Sequence, residues 1–142
     1  MLKVNIIPLS VVAIAALSAI PLQPAAADEF SQNGFIMPSK NIYCVVYDEY
    51  LRCEIQSQLK PMPPQPASCN LDWGNGFVLT KNGNTEVLCA GDTIYSPNFP
   101  VLQYGKLWTK AGFVCESSTN GLTCINSQGN GFFLSREEWH IL

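Results

Sequence analysis

The sequence predicts an all-β, mainly antiparallel domain that is built from hairpins and stapled by disulfide bonds. Six cysteines, an even number in a small chain, are typical of a disulfide framework. Two pairs, Cys44/Cys53 and Cys115/Cys124, have the same spacing, so the same stapled hairpin is predicted at two places in the chain. Short runs of β-branched and aromatic residues between turn signals favour strands. We expect either a small sandwich or a partly open barrel.

The first 27 residues have the organisation of a secretory signal peptide. Lys3 precedes the apolar run Val4–Ile20, and small residues up to Ala27 supply a cleavage site. An uncleaved membrane anchor is the alternative, because the run is close to the minimum of about 17 residues that spans a bilayer. We therefore expect a secreted or periplasmic protein with no membrane span after cleavage. A flexible leader, residues 28–34, would precede a single β-domain, residues 35–142.

Charge and residue types exclude several function classes. The formal net charge is −3 and the basic residues are scattered, which argues against nucleic-acid binding. Zinc competes with disulfides for cysteines, yet no Cys-x-x-Cys occurs and His140 is the sole histidine. No loop repeats acidic residues at the alternate positions that calcium requires. We expect neither a metal nor another cofactor.

The first hairpin is predicted from 42–47 and 50–55, with a two-residue turn at 48–49. This register places Cys44 opposite Cys53, at a separation that suits a disulfide. The hairpin is the first of three stapled units.

A proline-rich extended connector, 56–68, follows because four prolines exclude a helix or a central strand. The second hairpin comprises 76–80 and 85–88 around an Asn-Gly turn. A bond between Cys69 and Cys89 would tie the connector to this hairpin. Local geometry thus selects one of the 15 possible pairings of six cysteines.

The third hairpin joins 112–116 to 122–125 through a four-residue turn, 118–121, which pairs Cys115 with Cys124. Before it, 90–110 predicts short strands around a proline-containing loop, a place where a site could form.

The last segment suggests an internal repeat and a helical turn. The sequence Gly-Asn-Gly-Phe occurs at 74–77 and again at 129–132, each time after a spaced cysteine pair. Ser135 and Glu138 have the form of a capping box, which predicts one short helical turn over Ser135–Ile141.

No catalytic set is apparent. No serine or cysteine is arranged as a nucleophile with His140, and we assign no catalytic residue. Carboxylates could act in pairs, and Asp72 and Asp92 are the most suggestive, although stabilisation of turns by side-chain to backbone hydrogen bonds is the more common role of such residues. Aromatic rings could form a flat surface for sugars or a protein partner, although such residues more often make the core of a small β-domain. The candidate binding residues are Asp72, Trp73, Asp92, Tyr95, Tyr104 and Trp108.

Several motifs in a fixed order support a family resemblance. They are Pro38-Ser-x-Asn-Ile-x-Cys44, Cys69-x-x-Asp-Trp-Gly74, Cys89-Ala-Gly-Asp-Thr93, Val101-Leu-x-Tyr-Gly105, Gly121-Leu-Thr-Cys124 and Gly131-Phe-x-Leu-Ser-Arg136. Over Phe35–Leu142 the chain resembles the bacterial exported family catalogued as domain of unknown function 6636. Lys40 departs from the family pattern, which has glycine there. The resemblance implies a small exported domain with paired cysteines and implies no activity.

The expected function is non-catalytic binding, or inhibition of an enzyme such as a lysozyme, at the cell envelope or outside the cell. The partner would be a protein or a glycan. One alternative is a small glycan-acting hydrolase that uses a carboxylate pair. Another is a structural envelope component.

Overall fold

A computed structural model describes residues 33–142 of the chain, which form ten strands and no helix. The predicted signal peptide and most of the predicted leader lie outside the described residues, and Gly34 already belongs to the first strand. The strands are β1 (Gly34–Ile36), β2 (Ile42–Val46), β3 (Tyr50–Ile55), β4 (Trp73–Thr80), β5 (Thr85–Cys89), β6 (Leu107–Lys110), β7 (Phe113–Ser118), β8 (Gly121–Ile125), β9 (Gly131–Leu134) and β10 (Trp139–Ile141).

The strands form two antiparallel five-stranded sheets. One sheet has the order β1-β2-β3-β4-β5 and is called half A here; the other has the order β10-β9-β8-β7-β6 and is called half B. Their inner faces share one core, in which Phe77 meets Phe132 at 5.1 Å between ring centroids and Phe35 meets Trp108 at 5.2 Å. The predicted all-β class is confirmed, and the sandwich is the arrangement observed.

The three predicted disulfides are all present. They join Cys44 to Cys53, Cys69 to Cys89 and Cys115 to Cys124. The first and the third connect directly opposed residues of hairpins, in the predicted registers. Three disulfides are consistent with an oxidising periplasmic or extracellular environment.

The turn of the third hairpin is shorter than predicted. Ser118 pairs with Gly121, so only residues 119–120 form the turn between β7 and β8. The register is unchanged, because Ser117 still pairs with Leu122.

The predicted helical turn over Ser135–Ile141 is wrong. Ser135 Oγ accepts a hydrogen bond from the Glu138 amide (3.1 Å), as a helix cap would, but the Ser135 amide also donates to the Glu138 carbonyl (2.9 Å) and closes a hairpin. The following residues form β10 on β9. Trp139 decides the outcome, since its ring packs against Phe77 (5.6 Å) and its Nε1 donates to the Pro61 carbonyl (2.8 Å).

The internal repeat extends to strand register. Cys53 of β3 lies opposite Phe77 of β4, and Cys124 of β8 lies opposite Phe132 of β9. Gly76 and Gly131 precede these phenylalanines at equivalent positions, and a Cβ added to them would lie 1.9 Å from the carbonyl oxygens of Cys53 and Cys124, respectively. Glycine is therefore required at the same place in each half, because the backbones approach too closely for any side chain.

Two irregular segments connect the strands. The proline-rich connector forms neither a helix nor a strand, as predicted, and Trp73 Nε1 donates to the Pro63 carbonyl (2.8 Å). The second, residues 90–106, is called the crossover segment because it links the two halves. It forms one isolated parallel bridge, between Val101 and Ile36, where short strands were expected before β6. Among the described residues, no helix is long and apolar enough to cross a membrane.

Candidate binding clefts

An open cleft of about 480 Å³ lies on the outer face of half A, beneath the crossover segment. It is called the acidic cleft because three of its lining side chains are carboxylates. The lining residues are Tyr43, Glu54, Ile55, Gln56, Asp72, Asn75, Gly91, Asp92 and Thr93. Two of the candidate residues, Asp72 and Asp92, are thus brought together. A third, Tyr95, lies beside the cleft, with its ring 5.3 Å from that of Tyr43.

Strand β3 presents two charged side chains to this outer face. Successive strand residues point to opposite faces, so Arg52 and Glu54 share the face opposite to the core residue Cys53. Arg52 is only 8% exposed and Glu54 only 3%. Charges that are so deeply buried require partners.

The crossover segment supplies the partners, in what we call the Arg52 network. Arg52 Nη1 and Nη2 each donate to Asp92 Oδ1 (3.1 Å), Nη2 also donates to the Asp92 carbonyl (2.9 Å), and the guanidinium forms an ion pair with Glu54. Glu54 Oε2 accepts from Thr93 Oγ1 (2.6 Å), and Oε1 accepts from the Ile94 amide (3.1 Å). These charge-assisted bonds fasten residues 92–94 to the sheet.

The network shifts two ionisation equilibria. Burial alone lowers the pKa of Arg52, but the charge of Glu54 and the hydrogen bonds with Asp92 and Glu54 outweigh it, so the pKa is raised overall. The pKa of Tyr43 is raised as well, and here burial is the main cause. The hydrogen bond with Thr93 lowers this pKa, and the charge of Glu54 raises it. The guanidinium therefore stays charged while it holds the crossover segment.

The cleft leaves carboxylates available to a ligand at its rim. Asp72 is exposed, and the side chain of Asp92 is 76% exposed although its Oδ1 is bonded to Arg52. Glu54 lies inside and uses both oxygens within the network. The cleft thus carries an excess of negative charge over the single guanidinium. Chemically, it suits a cationic group that donates hydrogen bonds to carboxylate oxygens.

The remaining candidate residues lie elsewhere. Trp73 lines another cleft, of about 410 Å³, with Glu86 and the Cys69–Cys89 disulfide. Tyr104 lines a groove at one end of the sandwich. Trp108 is 0% exposed and packs in the core, which is the alternative given above for the aromatic residues. It therefore contributes to no binding surface.

Sequence reasoning missed Arg52, Glu54, Tyr43 and Thr93. A local signal existed for the first two, because Arg-Cys-Glu in a strand whose cysteine faces the core places both charges on the outer face. The partner of Arg52 is 40 residues away, and its pairing has no local pattern.

The sole histidine contacts an aromatic ring and a carboxylate. His140 is exposed on β10, where its ring stacks on Phe133 at 5.9 Å and its Nε2 lies 3.5 Å from Glu138 Oε2. All six cysteines are disulfide-bonded.

Fold and clefts together define a small disulfide-bonded β-sandwich domain with internally repeated halves and surface clefts. The chain belongs to the family of unknown function DUF6636, whose model matches residues 12–142. This match confirms the resemblance carried by the motifs. No curated protein and no solved structure matches the chain.

Proposed function

We propose that the protein is a non-catalytic binding module, exported to the periplasm or outside the cell, whose acidic cleft binds a cationic segment of a partner protein. The observation that carries the proposal is the Arg52 network. Glu54 holds the crossover segment with both carboxylate oxygens, and Arg52 holds Asp92 through one of its oxygens, so the network fixes Asp92 in place on the rim of the cleft.

Rigidity supports binding as the use of this rim. The Cys69–Cys89 disulfide lies at the ends of the segment that carries Asp72, and the Asp72 carbonyl accepts from the Ala90 amide (3.1 Å). The second rim residue, Asp92, is held by Arg52. A surface that is ordered before association loses less conformational entropy on binding, which favours affinity.

Charge supports a basic partner. The chain has a formal net charge of −3, and the cleft adds local negative charge. Complementary fields accelerate encounter and select against acidic partners. Basic enzymes that act on the envelope, lysozyme among them, are one such class, and binding over the catalytic groove of such an enzyme would inhibit it.

A glycan-acting hydrolase is the second candidate, and one observation favours it: Asp72 and Asp92 line the same cleft. Glycoside hydrolysis needs one carboxyl group to donate a proton and another to act as nucleophile or base. The two candidates differ in their products, because only the hydrolase releases new reducing ends from envelope glycans.

Capture from envelope extracts tests the proposal. The exported protein, immobilised, is expected to retain a basic protein that elutes with salt. Asp72→Asn is expected to reduce retention at least about tenfold, in line with the loss of a charged contact at a protein interface. Asp48→Asn is the matched control, since it removes the same charge from the exposed β2–β3 turn.

The competing outcomes are separable. Release of reducing ends from envelope glycans, lost in Asp72→Asn and kept in Asp48→Asn, would establish the hydrolase instead. Equal retention by both variants would contradict the acidic cleft as the binding surface. Amino-terminal sequencing of the exported protein, expected to begin at Asp28, tests the signal peptide.

A further inference from the structure

A second concave surface, which we call the end groove, opens at one end of the sandwich. Its volume is about 240 Å³, and it lies where the β1–β2, β7–β8 and β9–β10 turns meet. It shares no lining residue with the acidic cleft. The lining residues are Met37, Ser39, Asn41, Ile42, Tyr104, Ser118, Thr119, Asn120, Gly121, Ser135, Arg136 and Glu137.

The internal repeat shows why this end has space for a ligand. The equivalent turns of the other half meet at the opposite end, where the Lys81 amide donates to the Glu49 carbonyl (2.8 Å) and joins two of them. There, Tyr47 and Tyr50 flank the β2–β3 turn and stack at 4.6 Å. In half B the equivalent positions hold Ser118 and Gly121. Ser118 replaces the ring of Tyr47 by a hydroxymethyl group and leaves room at the end groove. At Gly121, by contrast, the ring of Phe133 lies 2.7 Å from where a Cβ would be.

Several groove residues are already used to hold the turns. Asn41 exchanges hydrogen bonds with Ser57 (3.1 Å each), and Ser118 Oγ accepts from the Asn120 amide (3.0 Å). Ser135 Oγ donates to the Glu138 carbonyl (3.0 Å). These bonds fix the walls, so the groove is ordered before any ligand arrives.

The exposed groups at the groove are polar and, taken together, uncharged. Thr119 offers a hydroxyl, Asn120 an amide, and the neighbouring Arg136 and Glu137 carry opposite charges. Tyr104, 42% exposed, adds one aromatic face. A ligand that suits this set has hydroxyl groups that both donate and accept, an apolar face that packs on a ring, and no net charge.

We infer that the end groove binds one neutral sugar unit of a glycan. A hexose or N-acetylhexosamine has this combination of groups. Ligand pockets commonly have volumes of about 300–1,000 Å³, and the end groove, at about 240 Å³, is smaller than these, so it has room for a single ring only. This site is independent of the proposed acidic cleft, and either can fail without the other.

Titration of the ¹⁵N-labelled protein with glucose and with N-acetylglucosamine tests the inference. For at least one sugar, saturable shifts are expected at the amides of Asn120, Gly121 and Arg136, without shifts at Asp92 or Thr93. Tyr104→Ala is expected to weaken binding about tenfold, because it removes the stacking face. Tyr47→Ala is the matched control, since Tyr47 is 40% exposed and lies at the opposite end of the sandwich.

A second variant protects the test against misfolding of the first. Asn120 lies in an exposed two-residue turn. Asn120→Ala is expected to weaken sugar binding several-fold and to leave the other amide signals of the spectrum unchanged. Absence of saturable shifts with both sugars would overturn the inference. So would equal affinity of Tyr104→Ala, Tyr47→Ala and the unmodified protein.

Discussion

The two halves of the sandwich have the same framework and different outer faces. In each half a disulfide joins opposed strands, and a Gly-Phe pair on the next strand faces the second cysteine. On the outer face, half A has Arg52 and Glu54 where half B has Thr123 and Ile125. The charged pair lies under the crossover segment, whereas Ile125 is exposed.

This difference separates what the scaffold requires from what a site requires. Elements that recur in both halves are those that close the hairpins and fill the core. Elements that occur once, the Arg52 network in half A and the small residues at the end groove in half B, belong to the surfaces where we propose function. The repeat thus serves as an internal control.

Substitution of the two equivalent glycines is expected to have the largest effect. Gly76→Ala and Gly131→Ala should each lower the free energy of unfolding by more than about 4 kcal/mol, because the added Cβ meets a backbone carbonyl. Denaturant unfolding under oxidising conditions measures both. Gly129→Ala is the control, since a Cβ there meets open space and only its positive φ is unfavourable, at about 1 kcal/mol. Unequal losses of unfolding free energy in Gly76→Ala and Gly131→Ala would show that the two positions are not equivalent.

Removal of Arg52 is expected to destabilise the domain, whereas a change at the equivalent position of half B is not. Arg52→Met leaves the buried Glu54 without its ion pair, which should cost about 3 kcal/mol and release the crossover segment. Thr123→Val, at the equivalent position of half B, should change stability by less than about 0.5 kcal/mol. The double variant Arg52→Met/Glu54→Met should recover most of the loss in denaturant unfolding. Failure to recover would show that the ion pair is not the cause.

Two turns at equivalent places hold non-glycine residues in the left-handed region. Lys40 has φ 61° in the β1–β2 turn, and Ala111 has φ 52° in the β6–β7 turn. Lys40→Gly and Ala111→Gly should each raise thermal stability by about 1 kcal/mol, since glycine adopts this conformation without steric cost. The family resemblance led us to expect glycine at the place of Lys40, and the observed φ of 61° is one that glycine adopts without steric cost. A melting temperature that falls in either variant would contradict this explanation.

The smallest expected effect concerns pH. The pKa of Tyr43 is raised in the folded state, so its contribution to stability is present below its ordinary value of 10.0 and is lost as pH rises through the folded-state pKa. Tyr43→Phe should therefore flatten the loss of stability above about pH 10. Half B has Val114 at the equivalent position and gives no such dependence. Identical alkaline profiles of variant and unmodified protein would argue against this role of Tyr43.

The framework could be read from the sequence because its determinants are local. Turn residues and cysteine spacing place Cys44 opposite Cys53 and Cys115 opposite Cys124, and both registers are observed. The prediction of a helical turn after Ser135 was wrong because it rested on a local capping pattern. Strand pairing and the packing of Trp139, which depend on distant residues, decide the structure instead.

The candidate site was predicted only in part for the same reason. Asp72 and Asp92 lie in turns that sequence patterns reveal, and they line one cleft. Which aromatic residues reach the surface depends on the packing of two sheets, so Trp108 in the core and Tyr104 at the groove were not distinguishable. The Arg52 network joins residues 40 positions apart, a pairing set by the path of the crossover segment.

The proposal that function lies on the outer face of half A is tested most directly by hydrogen exchange with and without the captured partner. We predict that binding slows exchange of backbone amides at residues 72–75 and 91–94, and leaves residues 114–116 and 123–125 on the outer face of half B unchanged. Slower exchange confined to half B, with no change around the acidic cleft, would contradict it.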